Sequence, residues 1–152
     1  GKEAPHHPSD DVLDVLTEQF GRFGKARGAG FYEYPPDAKK HLWPELTVIF
    51  PLQGEKLVQT EMIERLMFVQ ALETARCYEE GVVTSVADAN IGSIFAWGFA
   101  PFKGGTLQYI NDYGVADFVS RSNELAERYG ERFAPPDILV QMAEKQETFA
   151  VR

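Results

Sequence analysis

Apolar residues recur along this chain at helical spacing, and glycine or proline interrupts nearly every run. Ser9 is a good N-cap, and Asp10 and Asp11 follow where carboxylates favour the positive end of a helix. Val12, Leu13, Val15, Leu16, Phe20 and Phe23 then fall largely on one face, which predicts a helix over about 10–22. Gly21, Gly24, Gly28 and Gly30 break the pattern ahead of the aromatic run Phe31-Tyr-Glu-Tyr34. Residues 37–43 are predicted to form one or two helical turns, stopped by Pro44. Residues 45–57, with Val48-Ile-Phe50, Pro51 and Gly54, read as a short strand or an extended linker.

Thr60 is expected to cap the longest helix, over about 61–80, with Gly81 closing it. Its apolar positions, Met62, Ile63, Leu66, Met67, Val69, Leu72, Ala75 and Tyr78, cover more than one face. This helix is therefore expected to be central and packed on two sides. Three more helices are predicted: 106–113 ending at Gly114, 115–129 ending at Gly130, and about 136–145 started by Pro135-Pro136. Leu107, Tyr109 and Ile110 face inward in the first, Phe118, Val119, Leu125, Ala126 and Tyr129 make the apolar face of the second, and Ile138, Leu139 and Met142 the buried side of the third. Phe149 can tuck the tail against the body.

The stretch 85–105 organises the rest. Ser85 followed by Asp88 marks a helix start, and the helix runs to about Trp97 before Gly98 takes the left-handed cap. Pro101 is expected to keep the segment Phe99 to Phe102 out of a helix. Gly104-Gly105 permit a sharp turn or a close backbone approach. Ile94, Phe95, Trp97, Phe99 and Phe102 lie among the small residues Gly92, Ala96, Gly98 and Ala100. Such mixing suggests a helix end wedged into a tight junction, read as a core layer in preference to a ligand pocket.

Six or so helices with short connections make an all-α fold. At 152 residues, with 44% hydrophobic and 25% charged residues, the chain can build a real core. Its formal net charge of −8 argues against nucleic acid and anionic membrane as partners, since both need a basic footprint. No apolar run approaches the length of a membrane span. The single cysteine, Cys77, lies within an apolar helical pattern and reads as a packed, inert thiol in a reducing compartment.

Candidate chemistry is sparse. His6 and His7 have no carboxylate or cysteine at a ligand spacing, so a metal site is not assigned. The glycine cluster with Lys25 and Arg27 follows a helix instead of a strand, the wrong order for a dinucleotide loop. Glu73 and Arg76 stand three apart and read as an ion pair, not as an acid–base catalyst. Asn111 and Asp112 read as polar caps, and His41 as part of a solvent-facing helix end.

Ala87-Asp-Ala-Asn-Ile-Gly-Ser-Ile-Phe95 and Gly98-Phe-Ala-Pro-Phe-Lys-Gly-Gly-Thr-Leu-Gln-Tyr-Ile110 resemble the last helical domain of the multifunctional fatty-acid oxidation enzymes. In that family an alpha subunit joins an enoyl-CoA hydratase to a 3-hydroxyacyl-CoA dehydrogenase. Gly28-Ala-Gly-Phe-Tyr-Glu-Tyr-Pro35 is similar to the segment leading out of the preceding helical domain, and residues 65–81 to the next long helix. The likeness runs from about Val12 to about Phe149.

The resemblance implies a fold like the C-terminal domain of 6-phosphogluconate and 3-hydroxyacyl-CoA dehydrogenases. Residues 1–58 would be a leader, the tail of the first helical copy and a linker, and 59–152 the second copy, packed as one unit. It implies a parent that oxidises a (3S)-3-hydroxyacyl-CoA to the 3-oxoacyl-CoA with NAD, in the cytoplasm. The family's catalytic His–Glu pair and Rossmann domain precede the matched region, so an N-terminal part is expected to have been cut away. The expected partners are those missing domains (Rossmann and first helical domain) and, through the parent, acyl-CoA; a hydratase half and homo-oligomer formation stay open. No catalytic, cofactor-binding or metal-ligating residue is carried over. Asn90, Gly92, Trp97, Phe102, Gly104, Gly105 and Tyr109 are assigned an interdomain or structural role. The competing expectation is a non-catalytic all-α module that holds an acyl chain or a partner helix on the Phe99-to-Tyr109 surface.

Overall fold

The structure, a computed structural model, describes residues 6, 8–51 and 58–150. The chain divides into two compact units, residues 1–56 and 57–152. Among the described residues helices dominate, and the one sheet has two short strands. The chain is mostly helical.

In the first unit, α1 (Pro8–Asp14) runs on as a π-helical turn, Val15–Gln19, that buries Leu16. Ser9 lies inside the first turn instead of capping it, because the helix already begins at Pro8. A 3₁₀ turn, Lys25–Arg27, leads to β1 (Tyr32–Glu33), which pairs antiparallel with β2 (His41–Leu42). Arg22 ties this unit together. Its Nε donates to the Gly30 carbonyl at 2.7 Å, its Nη1 meets Glu33 Oε1 at 2.8 Å, and its guanidinium lies 4.1 Å from the Trp43 ring centre.

Two expectations fail here. Residues 37–43 hold β2 and not helical turns, and His41 is therefore an exposed strand residue. A helix confined between Pro36 and Pro44 is too short to repay its nucleation, whereas pairing with β1 satisfies the backbone at once. Conversely, Leu46–Ile49 forms a one-turn helix, α2, where a strand or linker was expected. β-Branched residues favour strands, but among the described residues no partner strand runs alongside, and the amides bond locally: Ile49 N–H donates to the Glu45 carbonyl at 2.9 Å. The remainder of the predicted linker, residues 52–57, lies outside the described residues.

The second unit is built on α3 (Gln59–Glu79), which buries Phe68, Ala71, Leu72 and Ala75. Around it stand α4 (Val86–Trp97), α5 (Thr106–Tyr113), α6 (Val115–Tyr129) and α7 (Asp137–Lys145). Phe68 stacks on Phe118 with ring centres 4.1 Å apart, and Tyr109 and Tyr113 meet both edge-on. Aromatic pairs favour these offset and edge-on contacts through their quadrupoles. Phe149 is buried and meets Tyr78 edge-on, closing the tail over the core as its sequence position suggests.

Thr60 does not cap α3: the helix starts one residue earlier, and Val58 occupies the cap position with no side-chain bond. Nor is α3 packed on two sides throughout. Met62, Ile63 and Leu66 in its N-terminal part are exposed, since there α5 and α6 meet the helix only on the side of Glu61 and Glu64. Gly81 closes the helix with a left-handed φ of 73°, as expected of that residue.

Candidate functional site

The Ser85 hydroxyl accepts from the Asp88 amide at 3.2 Å and starts α4; Gly98, with φ 78°, ends it. Pro101 opens a single 3₁₀ turn, Pro101–Lys103, instead of excluding helix altogether, since a first-turn proline has no amide to lose. Gly104 and Gly105 follow with φ of 73° and 107°.

Gly105 occupies the cap position of α5 and has no side chain with which to cap it. The cap comes from another helix. Asn90 Oδ1 accepts from the amides of Leu107 and Gln108 at 2.9 and 3.0 Å. Ser93 Oγ donates to the Asn90 carbonyl at 2.7 Å and accepts from the Thr106 amide at 3.2 Å. Three first-turn donors of α5 are thereby satisfied by two side chains of α4. Asn90, Gly104, Gly105 and Tyr109 are thus brought together at this junction, with Tyr109 inside the aromatic cluster.

The large side chains are not. Phe95 is 84% exposed, Phe102 85% and Trp97 54%, and only Phe99 of the group is buried. The expected core layer is therefore corrected. α4 turns Ala89, Asn90 and Ser93 inward because those side chains must reach α5, and helical geometry then sends Ile91 and Phe95 outward. The Trp97 indole N–H donates to Gln70 Oε1 at 3.1 Å, holding its ring across to α3. Gly92 lies among the outward residues, with nothing within 4 Å of where a Cβ would be.

The ionisable groups of this unit form clamps between helices. Glu64 accepts from Tyr113 Oη at 3.0 Å and from Arg121 Nη2 at 2.7 Å; Arg121 also reaches Glu124 at 2.6 Å. These bonds, first that to Glu64, push the Arg121 pKa still higher. Burial, then the bond to Glu64 and its charge, pushes Tyr113 up. The Tyr129 hydroxyl donates to Glu61 and holds that carboxyl below its ordinary value, assisted by Arg128 and opposed by desolvation. Burial raises Tyr109 to about 12. Glu73 pairs with Arg76 at 3.0 Å as expected, and Arg76 further donates to the carbonyls of Arg132 and Ala134.

Several of these roles escape a linear reading. Glu64 and Arg121 are far apart in sequence, as are Glu61 and Tyr129, and no local spacing announces either pair. Ser93 could have been found, since it stands one turn after Asn90. Asn111 is no cap: its side chain exchanges bonds of 2.8 and 2.9 Å with the Phe149 backbone.

In the glycine-rich segment of the first unit, Gly24 donates to the Ala29 carbonyl around a three-residue 3₁₀ turn, Lys25–Arg27, that leads into β1. Against expectation, carboxylates do stand beside His6: its ring lies 3.0 Å from Asp11 and 3.8 Å from Asp10. Among the described residues no three His, Cys, Asp or Glu side chains are grouped to hold a metal ion, and no helix is long and apolar enough to cross a membrane. No family model matches the chain.

Proposed function

We propose that this chain is the C-terminal helical part of an NAD-dependent 3-hydroxyacyl-CoA dehydrogenase of fatty-acid β-oxidation, acting in the cytoplasm. Its fold would be that of the second helical copy in the 6-phosphogluconate and 3-hydroxyacyl-CoA dehydrogenase class. The parent would convert (3S)-3-hydroxyacyl-CoA and NAD to 3-oxoacyl-CoA and NADH. The part in hand serves as a buttress: it carries none of the reacting groups and sets the position of the domains that do.

One observation carries the proposal beyond the resemblance. At the α4–α5 junction the side chains of Asn90 and Ser93 are spent on backbone amides, while Phe95 and Phe102 stand almost wholly in solvent. Exposed aromatics beside a buried helix junction suit a surface that another domain covers. The isolated chain, mixed with acetoacetyl-CoA and NADH, is expected to give no turnover above background; turnover would overturn the assignment of its role. The encoded sequence upstream of residue 1 tests the parentage, since a glycine-rich nucleotide loop is expected there and its absence would refute it.

The second reading is a binding module using the Phe99-to-Tyr109 surface for an acyl chain or a partner helix. The exposed Phe102 ring favours it. Titration with acyl-CoA of several chain lengths separates the two, because a surface that awaits a protein domain has no reason to select among thioesters.

A further inference from the structure

Between α3 and α4 lies an open groove of about 540 Å³. Its walls carry Val69, Val83 and Ala89, Trp97 stands at one lip, and Gly92 lies along the α4 side. Glycine in a helix interior costs stability, and is usually explained by a neighbour that comes too close for a Cβ. Gly92 has no such neighbour: the space where its Cβ would stand is empty. The bare backbone there leaves room for something outside this unit.

The groove also has a charge. Glu73 and Asp88, both exposed, are its charged side chains, and among the described residues no Lys or Arg lines it. Arg76 bonds to Glu73 but is turned toward the carbonyls of Arg132 and Ala134. Along α3 the apolar positions Met62, Leu66, Val69 and Cys77 recur at helical spacing, the first two exposed, with Glu73 between the last two and Gln70, bonded to Trp97, beside Val69. From Met62 to Cys77 these positions span about 22 Å, which is roughly four helical turns.

We propose that the α3–α4 groove is a docking site for an amphipathic helix of about four turns that sets Lys or Arg beside its apolar stripe. The apolar walls take the stripe, and Glu73 and Asp88 select the cations. The overall charge of −8 steers the same kind of partner. An acyl-CoA is disfavoured at this place, since its phosphates would face two carboxylates. The proposal uses only the shape and charge of the groove and does not rest on the identity of the parent.

Cys77, the chain's single cysteine, lines the groove and reports on its occupancy without any substitution. The probes are synthetic peptides of about four turns: one with Leu at helical spacing flanked by Lys, one with Glu in place of Lys, and a scramble of the first. The Lys peptide is expected to slow alkylation of Cys77 about tenfold at saturation, whereas the other two leave it unchanged. Glu73→Lys with Asp88→Lys should weaken the Lys peptide about tenfold and admit the Glu peptide. Gly92→Leu should abolish protection by filling the space above α4 while the circular dichroism stays native. Should that variant misfold, the two surface charge reversals still decide. Equal protection by all three peptides, Lys-peptide protection that survives the charge reversal, no protection by any peptide, or protection by acyl-CoA would each overturn the proposal.

Discussion

Asn90 and Gly105 fill one another's space: a Cβ built on Gly105 would lie 2.5 Å from both Cα and Cβ of Asn90 and 2.7 Å from its Oδ1. The two residues therefore form one device. Gly105 lets α5 approach α4 closely, and Asn90, once close, holds the Leu107 and Gln108 amides that Gly105 cannot cap. Neither residue works without the other, which is why a helix with no local cap can begin at this point.

Gly105→Ala should accordingly be among the most damaging single substitutions in the chain. It meets a left-handed φ and a backbone contact that cannot yield, so a loss of about 3 kcal/mol or more is expected in urea unfolding. Asn90→Ala should cost about 2–4 kcal/mol, since it leaves two amides unpaired. Asn90→Asp keeps an acceptor of the same shape and should cost less than the alanine variant. A Gly105→Ala protein as stable as the parent, or an aspartate worse than alanine, would contradict the device.

How far the chain could be read in advance follows from where the physics is local. The start of α4 at Ser85, its end at Gly98, and the ends of α5 and α6 at Gly114 and Gly130 lie where the sequence places them, because caps and left-handed glycines act within one turn. β2 and α2 depart from what their sequence suggests, since residues 37–50 are decided by the availability of a pairing partner and not by their own periodicity. At the junction, the close approach at Gly105 was legible from its glycine pair. That Asn90 caps α5 in trans, and that Phe95 and Phe102 therefore point outward, depends on the crossing of two helices and leaves no periodic trace.

Burial sets the alkaline limit of the second unit. Desolvation raises Tyr109 from its ordinary 10 to about 12, and Tyr113 shifts the same way. The folded protein thus binds these protons more tightly than the unfolded chain. The associated stability is complete below pH 10 and drains away as the pH rises toward about 12. Unfolding followed across that window, with tyrosinate absorbance as a second probe, should show ionisation and unfolding together. Tyr109→Phe should flatten the decline, and an unchanged alkaline profile would show that the phenol titrates while the protein stays folded.

The tail is held at one backbone position. Asn111 both donates to the Phe149 carbonyl and accepts from its amide, and the Phe149 ring is buried against Tyr78. Phe149→Ala should cost about 3 kcal/mol through lost burial, and Asn111→Ala about 1–3 kcal/mol through the two orphaned backbone groups. In hydrogen exchange the Phe149 amide should lose protection in the Asn111 variant while α3 and α6 keep theirs. Equal protection in both proteins would mean that ring burial alone holds the tail.

Gly92 supplies the opposite case to Gly105. Both are glycines of the same junction, but Gly92 has ordinary helical backbone and nothing within 4 Å of its absent Cβ. Gly92→Ala therefore removes unfolded-state freedom without meeting an obstacle, and should stabilise the unit by about 0.5–1 kcal/mol. Thermal and urea unfolding of the isolated chain read this directly. If stability falls instead, the groove wall must already be in contact with something in solution, and a concentration dependence of the melting temperature would identify that contact as a second molecule. A rise in stability means that the glycine is retained at a cost to the free chain, which is what a surface kept clear for a close-packed helix requires.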